Sequence, residues 1–296
     1  MSAAKLRVRP AAWYRFDIGD FEATVVSDGT LELGDATQLF PNAPKDEVRR
    51  LFAAEFLQCD PMVLAENALV LNTGAHLVLF DTGMGTSSLF GPHSGRLLGN
   101  MAAAGIDPRD IDTVILTHAH ADHTWGLLDD AGQPTFPNAS ICLSRADFDF
   151  WTDEAKLSDP AARPDVVRGS IRCLTGCRDQ LRFVVDGEVI VPGITAIATP
   201  GHTIGHMSQM IESAGVKMLN LGDVCHQYAL VCPNPDWQFH VDYDPVLGVK
   251  SRRRMLELAA REQLFVLGYH LPFPGLGHMV HDGDGYRYIP AHMQFG

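Results

Sequence analysis

The stretch Thr117–Gly126, THAHADHTWG, constrains this chain more than any other. It sets His118, His120, Asp122 and His123 within six positions, directly after the apolar run TVILT. In extended chain, residues two apart point to the same side, so His118 and His120 can grip one cation. Asp122 and His123 fall where the chain turns toward helix, so they point to a neighbouring position. Imidazole nitrogen and carboxylate oxygen at this spacing are zinc-type ligands. The alternative is a polar loop that happens to be rich in histidine. The cluster lies at the C-terminal end of a buried strand, DTVILTH, where open α/β sheets place their sites.

Three further residues occupy similar positions: His202 in ATPGHTIGH, Asp223 in LNLGDVCH and His270 in VLGYHLPFPG. Each follows an apolar run and a Gly or Pro turn, a local pattern that exposes a side chain at a sheet edge. Around them the chain reads as short strands and helices. ATVVSDGTLEL reads as a strand and a turn, MVLAENALVLNTG and HLVLFDTG as two strands. DEVRRLFAAEFL, GRLLGNMAAAG and SRRRMLELAAREQ read as helices. SICLS, LRFVV, EVIV, ITAIATPG, GHMSQMIES, KMLNLGD and LFVLGYH complete the strands. No linker or composition break separates the two halves, so residues 1–296 read as one layered α/β domain.

Bulk properties exclude several function classes. A net charge of −13 argues against a nucleic-acid groove, which needs a basic footprint. The one basic cluster, SRRR, reads as the polar face of a helix. No apolar run approaches the ~20 residues that cross a bilayer, so no membrane partner is expected. The N-terminal segment lacks the apolar core of a secretory signal, which points to a cytoplasmic protein. The six cysteines are then expected to be thiols.

The motifs LFDTGMG, DTVILTHAHADHTWG, TPGHTIGH, GDVCH and GYHLPFPGLGH, in that order, resemble those of the metallo-β-lactamase-fold hydrolases over nearly the whole chain. The resemblance implies a four-layer αββα sandwich with a two-metal site at one edge. It implies that His118, His120 and His202 hold one ion, that Asp122, His123 and His270 hold the second, and that Asp223 bridges them. Zinc is the expected metal, with Mn, Fe or Co compatible with the same ligands. Two divalent ions less two carboxylates and a bridging hydroxide leave a charge of about +1, which favours an oxyanion in the transition state. The metals would lower the pKa of the shared water toward ~7 and supply the nucleophile. The resemblance further implies that Asp81 braces the histidine loop. His206 reads either as a support of the ligands or as a buried hydrogen-bonded histidine, and His278 as a surface or structural one.

Within the family, the tail from Asp223 onward looks most like methyl parathion hydrolase and the lactonase and arylesterase branch. Only 26 residues follow His270, which leaves no room for a helical glutathione-binding domain. The expected activity is therefore hydrolysis of small uncharged esters: aryl esters, lactones or phosphotriesters. Asp122, Asp223 and His226 are the candidate catalytic residues. His226 stands where acyl-homoserine lactonases carry a Tyr, which weakens that narrower assignment. Trp125 stands where many relatives carry Gly; it either packs beside the metal loop or lines the pocket. Phe40, Phe52, Phe56, Trp151 and Trp237 each read singly as a core residue, and together lie in segments that could frame an apolar mouth. Alternatives are a quorum-quenching lactonase and a mono-iron oxidoreductase of the persulfide dioxygenase type. Relatives often form dimers, so a homodimer is compatible.

Overall fold

The computed structural model describes residues 11–158 and 163–293. Two seven-stranded sheets divide the chain between them. The first contains β1 (Trp13–Ile18), β2 (Phe21–Leu33), β3 (Met62–Asn72), β4 (Leu77–Phe80), β5 (Thr113–Ile115), β6 (Ser140–Ser144) and β7 (Leu181–Val184), side by side in chain order. The second contains β8 (Val189–Val191), β9 (Ile194–Ala198), β10 (Met207–Ser213), β11 (Val216–Asn220), β12 (Phe265–Leu267), β13 (Leu276–Asp282) and β14 (Gly285–Pro290), also in chain order. Strands β4 to β7 pair in parallel, as do β11 and β12; the other neighbours are antiparallel.

The period-two alternation of side chains builds the layers. In β3, Leu69 and Leu71 face the second sheet while Ala68 and Val70 face helices; in β4, Val78 and Phe80 divide from Leu79 in the same way. The core between the sheets joins these residues to Ile194, Ala196, Ile211 and Met218 of the second sheet. Outside the first sheet, Met101 of helix Leu97–Ala103 and Cys173 and Leu174 of helix Pro164–Gly176 close one outer layer. Outside the second, Val48 and Phe52 of helix Lys45–Ala54 and Met255, Leu256 and Ala259 of helix Pro245–Arg261 close the other. The expected αββα sandwich is thus the observed one.

Three local expectations change. The segment 23–33 is part of one continuous strand, not a strand and a turn. Its Asp28-Gly29 pair forms a bulge at the Ser27/Gly29 register shift. The bulge turns the Asp28 carboxylate inward, where it accepts from the N–H groups of Met84, Gly95 and Leu97. Helices Arg145–Trp151 and Pro164–Gly176 escape the periodicity reading. Finally, the helix over the basic cluster starts earlier, at Pro245, capped by the Asp244 carboxylate on the Leu247 N–H. Its Arg253 and Arg254 are on the polar face as expected, but Arg252 is only 1% exposed and is the largest fully buried side chain described.

Candidate metal centre

The ends of β5, β9, β11 and β12 meet at one edge of the sandwich and carry the seven residues singled out from the sequence. Directly after β5 the chain bends, because Thr117 gives both its N–H (2.8 Å) and its hydroxyl (2.9 Å) to the buried Asp81 carboxylate. The hydroxyl oxygen in turn accepts from Nδ1 of His118 at 3.0 Å, which leaves the Nε2 lone pair of that ring facing inward. His202 is oriented in the same manner: its Nδ1 donates to Asp242 Oδ1 at 2.9 Å. The Nε2 atoms of His118 and His202 lie 3.0 and 2.9 Å from Nδ1 of His120. Three imidazole nitrogens therefore converge on one point.

The second cluster follows the same logic. His123 directs Nδ1 to Asp81 Oδ2 at 3.0 Å, and His270 gives Nδ1–H to the Ala65 carbonyl at 2.7 Å. Their Nε2 atoms lie 3.3 and 3.4 Å from Asp122 Oδ2. Asp223 Oδ2 faces both groups, 3.0 Å from His270 Nε2 and 3.3 Å from His202 Nε2. Ligand atoms within 4.8 Å of one another define the sets His118–His120–His202, His118–His123–Asp223, Asp122–His123–His270 and His202–Asp223–His226.

Electrostatics separates the clusters. Burial, reinforced by neighbouring imidazoles, pushes His118 and His120 well below the usual histidine range, so both offer neutral nitrogens. Burial also opposes charge on His270, yet the Asp223 and Asp122 carboxylates outweigh it and push its pKa up to about 10. The same carboxylates raise His123 against burial. This end of the site therefore demands positive charge. Imidazoles beside two carboxylates, with the far nitrogens of His118, His202, His123 and His270 each held by an oxygen, fit two divalent metal ions.

Several supporting residues had no individual signal in the sequence. Asp147, buried, accepts from Ala119 N–H (2.9 Å), Gly205 N–H (2.7 Å) and the Thr203 hydroxyl (2.8 Å). It thereby locks the His118–His120 loop to the His202 loop. Tyr269 donates its hydroxyl to the Asp122 carbonyl at 2.6 Å and lays its ring 4.0 Å from that of His123. Asp242 sits inside NPDWQFHVDYDP, but that segment carries three aspartates and sequence alone cannot separate them. Asp81 and His206 take supporting roles. His206 accepts the Asp223 N–H, and its close approach requires glycine at Gly222, where a Cβ would lie 2.6 Å from Nε2.

A cavity of about 660 Å³ opens onto the cluster. Its walls include His120, Asp122, His202, Asp223, His226 and His270, the apolar Leu31, Leu33, Phe90, Phe150, Trp151 and Phe239, and the charged Glu32, Lys156 and Arg163. Of the five aromatics that read singly as core and together as a mouth, Trp151 lines the cavity. Phe40 and Phe52 are buried in the outer core and Trp237 packs against that core. Phe56 is 97% exposed, because it follows the end of its helix in a left-handed turn. Trp125 packs against Gly169 outside the cavity wall, and His278 bonds the Leu264 carbonyl on β13. His226, 1% exposed, packs at a tilt against Phe239, ring centres 4.5 Å apart, with Nε2 3.7 Å from Asp223 Oδ2.

Fold, sheet order and paired clusters define a class, and the family model agrees: residues 61–270 match the Metallo-beta-lactamase superfamily, to which the chain belongs. Among solved structures, it superimposes on AidC, a dizinc quorum-quenching lactonase, with TM-score 0.89 and 27% identity over 96% of this chain and 99% of that one. It superimposes equally on the hydrolase AbOPH, with TM-score 0.90 and 29% identity over 97% and 100% of the two chains. An N-acyl homoserine lactonase of Bacillus cereus is 22% identical over 243 residues, covering 76% of this chain and 85% of the lactonase.

Proposed function

We propose that the protein is a binuclear metal-dependent hydrolase of uncharged esters, with N-acylated lactones the leading substrate class. The observation that carries this reading is a cavity whose wall joins both ligand clusters to apolar and aromatic side chains. A reacting carbonyl fits beside the clusters, and an apolar substituent is buried against the aromatic part of the wall. The likeness to AidC and to the Bacillus lactonase supports a lactone over other esters.

In this reading His118, His120 and His202 hold one ion, Asp122, His123 and His270 the other, and Asp223 serves both. Zinc suits the nitrogen-rich set, and Mn, Fe or Co are chemically compatible. When bound, the ions supply a Lewis acid for the carbonyl and a water of lowered pKa. The chain's own residues do the rest. Thr117, Asp81, Asp242 and the Ala65 carbonyl keep the imidazole lone pairs aimed inward. Asp122, in the cavity wall, takes the proton of the attacking water and returns it to the alkoxide that leaves as the ring opens. His226, which also lines the cavity, offers its imidazole to the substrate oxygen. The apolar part of the wall excludes water from the substituent and fixes its direction.

Steady-state kinetics on an N-acyl homoserine lactone, a p-nitrophenyl ester and an aryl dialkyl phosphotriester, with metal analysis of the same sample, test the proposal. The lactone is expected to give the highest kcat/KM. A folded protein with two bound metals that is inert on all three would overturn it. One iron per chain with thiol-dependent oxygen uptake would instead establish the oxidoreductase alternative.

A further inference from the structure

The basic cluster of helix Pro245–Arg261 hides a group that the proposed reaction does not use. Arg252 is buried, and its guanidinium donates to three backbone carbonyls and forms an ion pair with one carboxylate. Nε donates to the Val224 carbonyl at 3.0 Å, and Nη1 to the carbonyls of Pro235 at 3.0 Å and Trp237 at 2.7 Å. Nη2 lies 3.6 Å from Asp242 Oδ2. Asp242 is equally buried, and its other oxygen accepts the Nδ1–H of His202 at 2.9 Å. Val224 follows Asp223 directly. One cation therefore reaches the backbone beside the shared carboxylate on one side and the imidazole of the first cluster on the other.

A buried arginine is costly unless its donors are satisfied in a fixed geometry. Here that geometry is continuous with the ligand cluster. The backbone N–H of Tyr243 bonds the His202 carbonyl and that of Asp244 the Gly201 carbonyl, which binds the Asp242 loop to the His202 loop. Gly201 admits this contact, since a Cβ there would lie 2.1 Å from the Gly248 nitrogen. We infer that Arg252 is a positioning residue for the His118–His120–His202 site. It holds Asp242 in place, Asp242 holds the Nδ1–H tautomer of His202, and Nε2 is left to bind metal. The Asp122–His123–His270 site has separate anchors, Asp81 and the Ala65 carbonyl, and does not depend on this chain of contacts. Other residues that hold ligand histidines touch them directly; Arg252 acts from one residue further out, from a helix of the outer layer.

The inference rests on the two-metal reading above, so metal content of the wild type is measured first. The zinc-loaded wild type, Asp242→Asn and Arg252→Lys are each mixed with a chromophoric chelator, and zinc release is followed in time alongside thermal melting. In both variants one zinc is expected to leave about 10- to 100-fold faster than in the wild type, the scale on which partners of ligand histidines act. The other zinc is expected to keep its wild-type rate. Wild-type release of both ions, or equal acceleration of both, in a variant with a lowered Tm would reduce Arg252 to a packing role and overturn the inference. Asp242→Asn retains the shape of the site and tests the contact with His202; if Arg252→Lys does not fold, the same release assay on Arg252→Gln tests the outer contact, with the same outcomes for and against. A wild type that binds no zinc would instead refute the two-metal reading itself.

Discussion

The backbone N–H of Asp223 donates to Nε2 of His206 across 2.9 Å, and Nδ1 of His206 meets the Thr199 hydroxyl at 2.7 Å. A histidine from the start of the β10 segment thus fixes the carboxylate that faces both ligand clusters. Burial, with His202 beside it, pushes the His206 pKa down to about 3, so the ring is a neutral acceptor at working pH.

His206→Ala leaves a buried N–H unpaired and is expected to cost about 1–3 kcal/mol. Because the folded-state pKa lies below the unfolded value of ~6.5, the wild type loses stability at this position as pH falls from about 6.5 toward 3. The variant has no such loss, so the gap between the two narrows in acid. Urea titrations at pH 8 and pH 5 measure it; a gap that widens at pH 5 contradicts the assignment.

Asp147 carries the opposite sign. Burial outweighs its three donors and raises its pKa to about 6. The wild type therefore loses stability here as pH rises from about 4 to about 6, by up to roughly 3 kcal/mol, and no further above. Asp147→Asn presents an amide where three donors converge and is expected to be less stable at every pH. Its deficit is predicted to be largest near pH 4 and to shrink by pH 7. Denaturation at the two pH values checks the direction.

Trp151 lines the cavity and sets its ring edge-on, 5.2 Å from that of His120. Trp151→Leu removes wall area and the edge contact with His120 while leaving all seven ligand residues in place. For a lactone with a long acyl chain KM is expected to rise about 5- to 30-fold, as losing 1–2 kcal/mol of apolar contact implies, with kcat changed much less. A kcat loss with unchanged KM would place Trp151 in the chemistry instead.

Phe56 provides the contrasting case. Fully exposed after its helix, it is expected to tolerate Phe56→Ser within about 0.5 kcal/mol and without change in kcat/KM. Loss of activity in that variant would return Phe56 to the substrate mouth.

What could be read in advance divides along physical lines. The strands and the cluster of His118, His120, Asp122 and His123 were legible because periodicity and dense spacing are local signals, while the sandwich and the full ligand set followed from the family resemblance those motifs carry. Residues that act through tertiary contact were not. Asp236, Asp242 and Asp244 are chemically alike in sequence, yet one pairs with surface Arg253, one orients His202 and one caps a helix. Asp147 and Asp149 differ in the same way: two positions on one helix put the first inside and leave the second beside Arg145. Arg252 read as solvated because its neighbours are charged, although the helix period turns it inward. Aromatic side chains were least legible, since Phe40 in the core and Trp151 in the cavity wall carry the same local pattern.

The central claim is that these clusters hold two metal ions that open an ester bond. Elemental analysis of purified protein, before and after chelation and zinc return, tests it most directly when lactone hydrolysis is followed in the same samples. The account predicts about two equivalents of divalent metal per chain, activity lost on chelation and restored only as the second equivalent returns. A single equivalent of iron, or full hydrolysis by the metal-free chain, would contradict it.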